Sequence, residues 1–172
     1  MLKIFFAVCC LLVICPTIAW GQNNEVSLSA GGGGLVSGGK SVSAPAYTLA
    51  YTRSLTDRVA VEGALELFYI KGDDFLGVQV AGLYHFRPAD QTRRLIPYAT
   101  AGIGATSTDF TEIESQLVIR LGGGIKYYFL ESLGVRVEFR DEIIRTGGSI
   151  YYPLPGSPQH FLSVRAGVVF RF

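Results

Sequence analysis

Three groups of residues have the types and spacings that chemistry requires. The first is Gly34-Leu-Val-Ser-Gly-Gly39-Lys40-Ser41, which spells the phosphate-binding loop pattern letter for letter. That chemistry needs a helix directly after the loop, so that its amide N–H groups and dipole meet the phosphates. Val42-Ser-Ala-Pro45 follows instead, and then a strand-type run. Gly34–Pro45 therefore reads as a flexible glycine-rich loop with no nucleotide. The second group is His85 and His160, the latter three residues before Ser163. Residues three apart on a strand face opposite sides, so His160 and Ser163 do not make a base and its nucleophile. Two distant histidines also fall short of a metal site, and neither metal nor cofactor is expected. The third group is a set of charges set singly into apolar runs: Glu62, Glu66, Arg120, Lys126, Arg136, Glu138, Arg140 and Arg165. Buried singly they would be costly, so they must pair or be hydrated. They either form a hydrogen-bonded plug or line a narrow pore.

The elements that place these charges are eight runs of strand-like alternation. They span Glu25–Gly33, Ala46–Arg53, Arg58–Tyr69, Phe75–Phe86, Ile96–Ala105, Gln116–Phe129, Leu133–Arg140 and the closing stretch from Gln159 to Phe172. In the third run Val59, Val61, Gly63, Leu65, Leu67 and Tyr69 oppose Ala60, Glu62, Ala64, Glu66 and Phe68. In the sixth, Leu117, Ile119, Leu121, Gly123, Ile125, Tyr127 and Phe129 oppose Arg120, Gly122, Gly124, Lys126 and Tyr128. In the last, Leu162, Val164, Ala166, Val168, Phe170 and Phe172 oppose Ser163, Arg165, Gly167 and Arg171. No segment holds a helical period.

One face of these runs is charged or small and the other is Leu, Val, Ile and aromatic. The interior of an eight-stranded barrel is narrow and takes small and polar side chains in alternation. The large branched set would overfill it and fits lipid. Runs of this length, tilted, match the hydrocarbon thickness, which takes about 9–11 residues per strand. The expected fold is all-β: an eight-stranded antiparallel up-and-down transmembrane β-barrel. The aromatic residues Tyr51, Tyr84, Phe86, Tyr127, Phe129, Phe170 and Phe172 then gather at one membrane interface. The connections Ser54–Asp57, Arg87–Leu95 and Leu130–Ser132 belong to that end, the periplasmic one. Gly34–Pro45, Ile70–Asp74, Thr106–Ser115 and Asp141–Pro158 are read as external loops, three of the four being longer.

Residues 1–21 read as a signal peptide: a basic start at Lys3, an apolar run from Ile4 to Ile14, and small residues at Ala19 and Gly21. Residues 22–172 are the barrel domain. Cys9, Cys10 and Cys15, the chain's 3 cysteines, all lie in the leader, so the exported part has no thiol chemistry. Lys3 is the leader's only charge, which leaves 14 Lys+Arg against 14 Asp+Glu and argues against a nucleic-acid partner.

Pro97-Tyr-Ala-Thr-Ala-Gly-Ile-Gly104, Gly134-Val-Arg-Val-Glu-Phe-Arg140 and the terminal Val168-Val-Phe-Arg-Phe172 resemble the eight-stranded outer-membrane β-barrel family that includes OmpX and the OmpA transmembrane domain. The resemblance spans residues 22–172. It implies a bacterial outer-membrane location, outer-membrane lipid as surroundings, and recognition of Phe172 and Phe170 by the barrel-assembly machinery. No peptidoglycan-binding domain is expected after the barrel. Some barrels of this size hydrolyse lipid A at the lipid-facing wall with His and Ser, but their Ser-Asn motif is absent beside His160. The expected function is a monomeric, non-enzymatic barrel with an occluded polar interior and a structural or surface role in the cell envelope. The competing functions are a narrow, porin-like small-solute channel and, behind it, a lipid A-modifying enzyme. Ile150-Tyr-Tyr-Pro-Leu-Pro-Gly-Ser-Pro158 is an aromatic, proline-stiffened segment suited to external contact or to capping the rim.

Overall fold

The alternating runs do form strands, and the strands close on themselves. The computed structural model describes residues 24–37, 40–70, 73–88, 94–107, 116–145 and 158–172. Residues 1–21, expected as a leader, with Cys9, Cys10 and Cys15, and the Ile150–Ser157 segment lie outside the described residues. The strands are β1 (Asn24–Ser37), β2 (Lys40–Ser54), β3 (Val59–Ile70), β4 (Asp73–His85), β5 (Leu95–Ser107), β6 (Gln116–Tyr128), β7 (Leu133–Arg145) and β8 (Pro158–Arg171). Each pairs antiparallel with the next, and β8 pairs with β1 through Glu25↔Arg171 to Val36↔His160. Closure leaves no free sheet edge along the paired wall, which removes the aggregation hazard of a terminal apolar strand.

Side chains at even and odd positions separate cleanly. Val80 is 56% exposed and Val137 50%, while Glu62 and Arg120 are 0% exposed. Leu65, Ile119, Val164 and Val168 share the outward surface. With hydrocarbon outside and charge inside, this is a barrel built for a bilayer, since a barrel in water reverses that order. Aromatic pairs mark its two ends. At the lower end, which holds Asn24 and Phe172, Tyr84 meets Phe86 edge to face at 5.6 Å and Phe170 stacks on Phe172 at 6.1 Å. At the upper end Tyr47 meets Tyr69 edge to face at 6.0 Å.

Two expected loops are corrected by the ladder. Gly34–Pro45 is not a loop: β1 and β2 continue upward through Gly34↔Ser43, Leu35↔Val42, Val36↔Ser41 and Ser37↔Lys40. Glycine and proline suggested a break there. The β2–β3 ladder, however, begins only at Ala46↔Phe68, so Pro45 pairs on one side alone, where a missing N–H is tolerated. A strand, not a helix, follows the phosphate-loop pattern, so its amides are spent on the ladder. β7 likewise runs on to Arg145 instead of ending at Arg140, which makes Asp141–Arg145 wall and not loop. The other boundaries move by one or two residues.

Candidate functional site: a salt-bridged lumen

Alternation turns every second residue of β3, β6, β7 and β8 inward, and the register decides which charges share a level. Glu62 and Glu66 stand on β3, Arg120 on β6, Arg136, Glu138, Arg140 and Glu142 on β7, and Arg165 on β8. All are at most 2% exposed. Arg120 donates from Nη2 to Glu62 Oε1 at 2.8 Å, and Arg136 from Nη1 to Glu62 Oε2 at 2.5 Å. Arg165 forks between two carboxylates, Nη1 to Glu66 Oε1 at 2.6 Å and Nη2 to Glu142 Oε2 at 2.8 Å. Arg140 is paired with both Glu66 and Glu138, and Arg136 also with Glu138. Neutral groups complete the layer. Gln79 bridges Glu66 and Glu142 through Nε2 at 2.7 and 3.1 Å, and the Tyr98 hydroxyl donates to Glu138 at 2.5 Å. Thr48 and Thr52 on β2 bond Glu66 and Glu62.

Four guanidinium groups thus face four carboxylates in one connected, charge-balanced layer. Desolvating each ion separately costs several kcal/mol, and only dense pairing with filled hydrogen bonds offsets it. Glycine makes the density possible. Gly122 lies across from Arg140 and Gly124 from Glu138. A Cβ on Gly124 would sit 2.7 Å from the Tyr98 hydroxyl, and one on Gly122 would sit 2.6 Å from the Phe139 carbonyl oxygen.

Further side chains pack in the lumen above and below this layer. Above it Phe68 and Phe161 pack edge to face at 5.2 Å with Ala44, Ala46 and Ile144, and the Arg165 guanidinium lies over the Phe68 ring. Below it Lys126 and Arg171 (3.4 Å) both reach Glu25, the Tyr128 hydroxyl donates to Glu25, and Arg171 stacks on the Tyr128 ring at 3.8 Å. His85 is buried beside Tyr98, and neither of its ring nitrogens has a partner among the described residues.

Of the eight charges expected in the lumen, seven join the central network. Lys126 does not; it belongs to the lower cluster with Glu25. Sequence reasoning missed Glu142, Gln79, Tyr98, Glu25 and Arg171 as members. Glu142 was hidden because β7 was cut one residue before Asp141. Arg171 and Glu25 were legible from alternation alone. His160 acquires a partner the sequence did not suggest. It faces outward near the upper end, and its Nδ1 lies 3.0 Å from Asp141 Oδ2. Ser163 points inward, so the pair has no hydroxyl nucleophile on its own stretch of β8. Among the described residues no His, Asp and Glu side chains cluster as a metal centre. Phe170 and Phe172 both point outward at the lower rim.

An apolar outer wall around an ionic filling defines a membrane-spanning, eight-stranded antiparallel β-barrel. Solved structures of that type share the fold. The chain superimposes on Neisserial surface protein A with a TM-score of 0.68 at 13% identity, over 87% of this chain and 97% of that one. For the N-terminal β-barrel domain of Pseudomonas aeruginosa OprF the TM-score is 0.61 at 19% identity, over 88% and 99%. For the outer membrane enzyme PagL it is 0.57 at 17% identity, over 83% and 97%. No protein-family profile and no curated protein matches the chain in sequence.

Proposed function

We propose that this protein is a monomeric barrel of the bacterial outer membrane whose role is structural or at the cell surface, not transport or catalysis. The ion-paired layer of Arg120, Arg136, Arg140 and Arg165 with Glu62, Glu66, Glu138 and Glu142 supports this reading, because its side chains occupy the lumen at mid-height. The Phe68–Phe161 pair adds an apolar stopper above it. On this reading the lower end, with its short 2–3 and 6–7 turns, faces the periplasm. The assembly machinery would engage β8 through Phe170 and Phe172, and the residues ahead of Asn24 would include the cleaved leader. Purified protein in planar bilayers should show no steady unitary currents, and regular openings would overturn the plug.

A narrow, porin-like channel is the second reading, favoured by the polar and charged side chains that line the lumen at several levels from Glu25 to Arg165. The same bilayer recording decides between them. PagL shows that an enzyme can have this fold, and the outward His160–Asp141 pair is the feature that would serve one. Lipid A mass spectra should be identical with and without expression; loss of an acyl chain would make the protein a hydrolase.

A further inference from the structure

The outer wall is not evenly covered. Gly63 faces outward between Val61 and Leu65 on β3, with Tyr51 and Val80 as its cross-strand neighbours. A Cβ placed on Gly63 would meet nothing within 4 Å. Around it a furrow of about 540 Å³ opens, walled by Leu49, Tyr51, Val61, Leu65, Val78 and Val80. Its size falls in the roughly 300–1,000 Å³ span of small-molecule sites. Val61 and Val80 also border a second depression of about 390 Å³ floored by Gly82 and Ala101, so the furrow continues obliquely across β4 and β5. The walls are apolar until the lower end, where Arg53 and Leu55 close the furrow. Arg53 lies two residues below Tyr51, whose hydroxyl donates to Asn24 Oδ1 at 3.1 Å and so stands at the lower interface.

We infer that this furrow is a binding site for one anionic phospholipid of the lower leaflet. Its acyl chain lies over Gly63 and its phosphate is held by Arg53. The occupant follows from the surroundings: the furrow opens toward hydrocarbon, and Arg53, the one cation among its described lining residues, sits where headgroups begin. This rests on the membrane-spanning reading of the barrel. The selectivity is electrostatic and the retention is due to shape, so the two are separable by mutation.

The test uses the full exported barrel refolded in vesicles of mixed phosphatidylglycerol and phosphatidylcholine, extracted in mild detergent and weighed by native mass spectrometry. Gel mobility of unheated against boiled protein reports folding independently, so loss of the barrel is distinguishable from loss of the lipid. Wild type should retain one phosphatidylglycerol, preferred over phosphatidylcholine by about fivefold, the attraction of one basic side chain for an anionic headgroup. Gly63→Leu should cut retention of both lipids about tenfold with unchanged gel mobility. Val80→Phe fills the furrow from the opposite bank and should do the same, so a folding failure in one variant leaves the other to decide. Arg53→Gln should keep lipid but lose the headgroup preference. Equal retention by wild type and the filled variants, or no headgroup preference in wild type, would overturn the site.

Discussion

Arg136 on β7 and Glu62 on β3 meet inside the barrel at 2.5 Å, although their strands are four apart in either direction around the wall. The contact crosses the full width of the lumen. At this level ionic side chains reach from one wall of the barrel to the other.

Removing one side of that contact strands its partners. Glu62→Ala leaves Arg120 without its near carboxylate and Arg136 with Glu138 alone, and breaking a buried pair in this way costs about 3–5 kcal/mol. Urea unfolding in detergent micelles, followed by gel mobility, should show the midpoint falling accordingly. Glu62→Ala combined with Arg136→Met should recover part of the loss. If the double variant is as unstable as the single, Arg136 is not paired as described.

The two seals act in series. Phe68→Ala with Phe161→Ala removes the upper stopper but leaves the ionic layer, so planar-bilayer recordings should remain silent. Steady current from that variant would move the barrier from the charges to the two rings.

Glycine is needed at the inward position 124 and not at the outward position 82. A side chain at Gly124 collides with the Tyr98 hydroxyl, and such overpacking costs about 1–3 kcal/mol. Gly124→Ala should therefore lower the urea midpoint. Gly82→Ala should not, because a Cβ there has no neighbour nearer than 4.0 Å. Equal effects would contradict the inward and outward assignment.

Depth should grade the cost of charge on the outer wall. Val80 lies in the middle of β4, and Val80→Arg should destabilise folding into vesicles by about 2–4 kcal/mol. Tyr84→Arg, at the lower aromatic band, should cost at most about 1 kcal/mol. Equal costs at both positions would mean that this wall does not face hydrocarbon.

Much of this was readable in advance, and the failures have a common cause. Alternation told which face of Glu62, Glu66, Arg136 and Arg165 was which, because a strand's side-chain period is fixed by geometry. The short β6–β7 turn also fixes the register that sets Gly122 across from Arg140. Alternation did not give Tyr98, because β5 is rich in glycine and alanine and offers no contrast between faces. It did not give Phe161 as the partner of Phe68 either. Partners across a lumen depend on the stagger of all eight strands around the ring, which no single strand's pattern contains. The upward extension of β1 and β2 escapes a reading that takes glycine and Pro45 as punctuation: the β1 glycines ladder on both sides, and Pro45 pairs on one side only.

The long reach of the ionic contacts also bears on how such a molecule comes into being. Partners lie 58 positions apart for Arg120 and Glu62, 74 for Arg136 and Glu62, and 99 for Arg165 and Glu66. The β6–β7 hairpin entering the bilayer alone would turn Arg120, Lys126, Arg136 and Arg140 inward against Glu138 and Glu142, two carboxylates for four cations. No half-built intermediate offers these side chains a resting place in oil. Insertion and closure must therefore be nearly simultaneous, and β8, which brings Arg165 and Arg171 together, completes both.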